Sequence, residues 1–134
     1  MDLSQLDTKK AADEGFTLRL THPRSGEPLP AEIDLHGVDS EVCQRVVREQ
    51  QRRHLANAVK TRRLVMTPEA IESDSLDLLT AATRAWRGME LDGKPLEFSP
   101  EAARALYVRF AWIREQVEQA INDRANFLPA SSRR

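Results

Sequence analysis

The residues with the most chemical reach in this chain are three histidines, His22, His36 and His54, and a single cysteine, Cys43. They are scattered over loop, turn and helix without the two-to-four-residue ligand spacing of a zinc site, so no metal site is expected. Cys43 falls in the first turn of a helix near Arg45, where a thiolate is somewhat favoured. It also sits on that helix's apolar stripe, with no Cys/His partner spacing, and reads as a small core residue rather than a nucleophile. Glu69, Glu72, Asp74 and Asp77 cluster at a helix start, where the dipole favours negative charge. The five glycines are not spaced to cradle a phosphate. The reading is a protein without catalytic residues, cofactor or metal, which acts by binding.

Residues 1–14 predict a polar amphipathic helix with Leu3 and Leu6 on its apolar side, stopped at Glu14-Gly15. Phe16–Leu20 and Ala31–Leu35 alternate apolar and polar residues, the period of half-buried strands. The Pro- and Gly-rich segment 22–30 between them reverses the chain. Asp39 or Ser40 caps a helix running to about residue 60, with Val42, Cys43, Val46, Val47, Gln50 and Leu55 as its stripe. Arg45, Arg48, Arg52, Arg53, Lys60, Arg62 and Arg63 make this segment basic, a solvated face. Residues 61–66 read as a hinge.

Thr67 and Pro68 restart a helix. Its inner side is Ile71, Ser75, Leu78, Ala82 and Trp86, with Gly88 ending it and Glu72–Ser75 a weak stretch that admits a break. Asp92-Gly93 between Met89–Leu91 and Pro95–Phe98 is a strong hairpin-turn signal. Ser99 and Pro100 then open a helix whose stripe, Leu106, Phe110, Ile113, Val117 and Ile121, fits one helix or two in sequence. Large aromatics bury the most area per residue, so Trp86, Phe98, Phe110 and Trp112 place the core in this C-terminal third. Phe127 and Leu128 lie past the last helix. They are the candidate partner-binding residues, although tucking back onto the core is the favoured placement.

The fold expected is therefore α+β and predominantly α-helical, an N-terminal β-hairpin followed by a helical bundle with a second short hairpin. Its parts are residues 1–60, 67–128 and a disordered tail at 129–134. The chain of 134 residues is 40% hydrophobic and 31% charged, with a formal net charge of −1. That balance gives no pull toward nucleic acid or anionic membrane. One cysteine fits a reducing compartment, and no leader or membrane span is expected.

Several separated blocks carry a resemblance. Trp86, Leu91-Asp-Gly-Lys-Pro-Leu-Glu-Phe98-Ser99, Glu101-Ala-Ala103, Trp112-Ile-Arg-Glu-Gln-Val117 and Asn126-Phe127 resemble, in order and spacing, the tail assembly chaperones of long-tailed, lambda-like bacteriophages. The likeness covers residues 80–127 best, and the N-terminal block with Glu14-Gly15, His22-Pro23 and Gly37–Ser40 is compatible with it. It implies a protein of the host bacterial cytoplasm that binds the phage tape measure protein. Such a protein keeps its partner soluble, helps recruit tail tube protein and is absent from the mature virion. The family has no catalytic or ligand motif to carry over. Two other readings stand beside it: a structural head–tail or minor tail protein, and a small DNA-binding regulator using Arg45–Arg63. A homo-oligomer is compatible with all three.

Overall fold

The computed structural model of the chain describes residues 1–63 and 66–128. Leu64 and Val65, inside the segment read as a hinge, and the tail 129–134 lie outside the described residues. The architecture is α+β and mostly helical, and it opens with a helix and a β-hairpin.

A 3-10 turn, Leu3–Leu6, precedes α1, Thr8–Glu14. This corrects the single helix expected over 1–14. The Asp7 carboxylate accepts the Lys10 N–H at 3.0 Å, so Asp7 caps a new helix instead of continuing an old one. Leu3 and Leu6 are exposed, and Ala11 and Ala12 are the buried residues here. Gly15, at φ +95°, then turns the chain into β1, Phe16–Thr21, which pairs antiparallel with β2, Pro28–Leu35. Leu18 opposes Ile33 and Phe16 opposes Leu35.

Ser40 caps α2, Glu41–Thr61, and its side-chain oxygen accepts the Cys43 N–H. Thr67 caps α3, Pro68–Ala82, in the same way. The Glu72–Ser75 stretch stays helical throughout. A helix reaching Trp86 is the main expectation the structure overturns. The chain leaves the helix at Ala82, and Thr83–Arg87 forms β3 on the open edge of β2, with Ile33 opposite Trp86. Backbone groups of β2 gain ladder partners that a longer helix would deny them.

The short hairpin follows as β4, Glu90–Leu91, and β5, Lys94–Pro95. Asp92 and Gly93 both have positive φ, as a two-residue hairpin turn requires. Ser99 caps α4, Pro100–Arg109, and α5 runs from Ala111 to Asn122. The C-terminal stripe thus belongs to two helices, broken at Phe110. Its N–H still closes onto the Leu106 carbonyl at 2.8 Å while its ψ of 86° leaves the helical region.

The buried cluster joins Leu20, Ile33, Leu35 and Trp86 of the sheet to Leu79 of α3, Tyr107 of α4 and Val117 of α5. Trp86 meets Phe98 edge-on at 5.1 Å and donates its indole N–H to the Leu96 carbonyl. Phe98, Phe110 and Trp112 are only half-buried at the margin of this core. Both ends of the sequence therefore build one cluster, because the sheet takes its third strand from residue 83 onward.

Candidate interaction surface

Each histidine is occupied locally. His22 Nδ1 accepts the Arg24 N–H at 3.1 Å inside the β1–β2 turn. His36 Nδ1 lies 3.1 Å from the Asp13 carbonyl. His54 on α2 is half-buried, with Nε2 2.6 Å from an Asp74 carboxylate oxygen on α3. Among the described residues no group of three or more His, Cys, Asp or Glu side chains is placed to hold a metal ion. Cys43 is fully buried, and burial pushes its thiol pKa upward, the Ser40 hydroxyl opposing this only in part. The thiolate that a helix N-terminus would favour is disfavoured here.

The solvent face of the sheet is a charged ladder. The Arg87 guanidinium reaches Asp34 at 3.0 Å and Glu32 at 3.2 Å, Arg19 reaches Glu32 at 3.4 Å, and Thr17 donates to Asp34 at 2.7 Å. Arg87, then Thr17, holds the Asp34 carboxyl below its ordinary range. The carboxylates on this face have their partners in the fold.

The α2–α3 pair is different, because much of it stands clear of the core. Cys43 is the only buried residue of α2, and the buried residues of α3 begin at Leu76. The outer parts of the two helices form an arm, fastened at Asp74. There Gln50 donates to the Asp74 carbonyl at 2.8 Å, Arg53 to the carboxylate at 3.1 Å, and His54 meets the other carboxylate oxygen.

Beyond that fastening the arm exposes aliphatic surface: Leu55 at 66%, Val59 at 74%, Ile71 at 55% and Met66 at 39%. This corrects two sequence readings, since Leu55 and Ile71 were both placed on inner faces. A helix advances 100° per residue, so His54 facing α3 turns Leu55 outward. The signal was there, since Gln50 and His54 at four-residue spacing already define a polar inner line.

The arginines of α2 are largely matched within the helix and its neighbour. Arg48 meets Glu41 at 3.0 Å, Arg45 meets it at 4.0 Å, and Arg52 meets Glu49 at 3.0 Å. Arg53 is committed to Asp74. The basic stripe is thus less free than its count of cations suggests. Phe127 packs edge-on against Phe16 at 5.6 Å, and Leu128 is half-buried beside it. The ring of Phe127 is turned into its own fold. Among known proteins, no family model, no curated protein and no solved structure matches this chain.

Proposed function

We propose that this chain is a tail assembly chaperone that binds a phage tape measure protein in the host bacterial cytoplasm and helps bring tail tube subunits to it. The observation that carries the reading is the arm, where Leu55, Val59, Met66 and Ile71 stand exposed outside the core. Covering such surface gains about 25 cal/mol for each Å² of apolar area removed from water. Four exposed apolar side chains therefore give a modest affinity per copy. Modest affinity suits a chaperone that tube subunits must displace, with many copies each covering a short stretch of one long helix.

The blocks that carry the resemblance are built into the fold. Trp86, Phe98 and Ser99 have defined structural work: strand β3, an edge-on aromatic pair and a helix cap. No helix of the described residues is long and apolar enough to cross a membrane.

Co-expression of the full chain with the tape measure protein of the same phage tests the proposal. A soluble complex is expected, lost when Leu55→Asp and Val59→Asp are introduced, and the protein is expected to be missing from purified particles. An insoluble tape measure protein with no complex would overturn it, and stoichiometric incorporation into particles would favour a structural tail component.

A further inference from the structure

The outward line of the arm carries charge as well as apolar surface. Arg48, Arg52, Leu55 and Val59 follow one another at steps of four, three and four residues, so they share one stripe of α2. Arg62, the helix C-cap, and Arg63 come immediately after. Two exposed aliphatic side chains are thus bracketed by guanidinium groups at both ends. Among the described residues Arg48 is engaged by half-buried Glu41, which Lys9 also holds at 3.1 Å, and Arg52 by exposed Glu49, solvent-facing pairs that exchange for other carboxylates at little cost. Arg62 and Arg63 have no carboxylate within 4.0 Å among the described residues.

We infer that this stripe docks an amphipathic helix whose aliphatic residues are flanked by carboxylates. The inference rests on the reading of the arm as the partner-binding element. Charge complementarity selects this occupant over two others. A second copy docked stripe to stripe brings arginines toward arginines, which opposes association. Duplex DNA satisfies the arginines but presses Leu55 and Val59 against a hydrated phosphate backbone. An acidic amphipathic helix answers both components at once. Its aliphatic line covers Leu55 and Val59 in the helix-to-helix mode, and its carboxylates replace those of Glu41 and Glu49.

Fluorescence anisotropy on the full chain tests this with two labelled helical peptides sharing one leucine stripe, flanked by glutamate in one and by lysine in the other. The glutamate peptide is expected to bind about tenfold more tightly at low salt, a gap that closes as the ionic strength rises. Arg48→Glu with Arg52→Glu is expected to reverse the preference. Leu55→Asp with Val59→Asp is expected to abolish binding of both peptides while the circular dichroism spectrum is retained. Equal affinity for the two peptides, binding of neither, or tighter binding of a duplex oligonucleotide at the same salt overturns the inference. So does concentration-dependent self-association that Val59→Asp removes. The two proposals fail separately. A tape measure complex indifferent to Arg48→Glu and Arg52→Glu removes the inference and keeps the function. A selective glutamate peptide with no tape measure complex does the reverse.

Discussion

Gln116 on α5 treats Thr21 as a neighbouring strand would: its Oε1 accepts the Thr21 N–H at 3.0 Å and its Nε2 donates to the Thr21 carbonyl at 2.9 Å. The two residues are 95 positions apart. Pro28 stands opposite Thr21 in β2, where it has no N–H to offer. The side-chain amide thus closes the end of an edge strand and ties α5 to the sheet. Gln116→Ala is expected to cost about 1–2 kcal/mol, read as a lower urea midpoint with unchanged slope. Gln116→Glu keeps an acceptor and loses the donor, so its penalty is expected to be larger at neutral pH and to shrink as the new carboxyl protonates.

A second buried pair links the helix-to-strand change to α4. Thr83 donates its hydroxyl to the Leu79 carbonyl at 2.8 Å, and the Tyr107 hydroxyl lies 2.7 Å from Thr83 Oγ1. Tyr107 is fully buried, and that burial, opposed only by the Thr83 contact, pushes its pKa from 10.0 to about 12. The folded state therefore holds a proton that the unfolded chain releases near pH 10. Stability from this group is complete below about pH 10 and falls by about 1.4 kcal/mol per pH unit up to about pH 12. Tyr107→Phe is expected to flatten that alkaline slope in pH-dependent urea melts. Thr83→Val, which orphans the phenol, is expected to cost more at neutral pH, about 1–3 kcal/mol.

The legible parts of this fold are those that local chemistry decides. Thr67 and Ser99 cap the helices expected of them, Ser40 does so out of the pair Asp39 and Ser40, Asp92-Gly93 makes its turn, and the first hairpin follows the alternation of Phe16–Leu20 and Ala31–Leu35. Thr83–Arg87 was not legible. Its residues suit a helix well enough, and only an open β2 edge nearby gives the extended form an advantage. The arm was hidden for a related reason. Leu55 looks like the end of an apolar stripe until Asp74 fixes which side of α2 meets α3.

That fastening yields its own expectation. Asp74→Ala removes the carboxylate contacts of Arg53 and His54, and the Gln50 bond to the backbone carbonyl remains. Amide exchange in residues 51–63 is expected to quicken about tenfold while core amides of β2 and α5 stay protected. Uniform loss of protection would show that the carboxylate supports the whole domain rather than the arm.

Cys43 provides a probe of global opening. Burial keeps the thiol inaccessible and protonated, so labelling by a thiol reagent is expected to be negligible in buffer and to follow the unfolding curve in urea. Fast labelling of the folded protein would mean that α2 detaches from the core without global unfolding.

Phe127 was the sequence's candidate for a partner contact, and its surroundings give it a different expected phenotype. Its ring packs on Phe16, and a methyl group built on Gly37 would lie 3.1 Å from the ring and 2.8 Å from the Ala12 methyl. Gly37 also donates its N–H to the Ala12 carbonyl at 3.1 Å, so the backbone there has little room to yield. Phe127→Ala is expected to cost about 1–2 kcal/mol, below the range for a fully buried phenylalanine because the ring is half-exposed. Gly37→Ala is expected to destabilise the protein as well. Its cost should fall in the Phe127→Ala background without vanishing, since the Ala12 contact remains. Denaturation of the four proteins in this cycle measures the coupling. Zero coupling and full stability in Phe127→Ala, combined with loss of partner binding, would return Phe127 to the interface and remove it from the core.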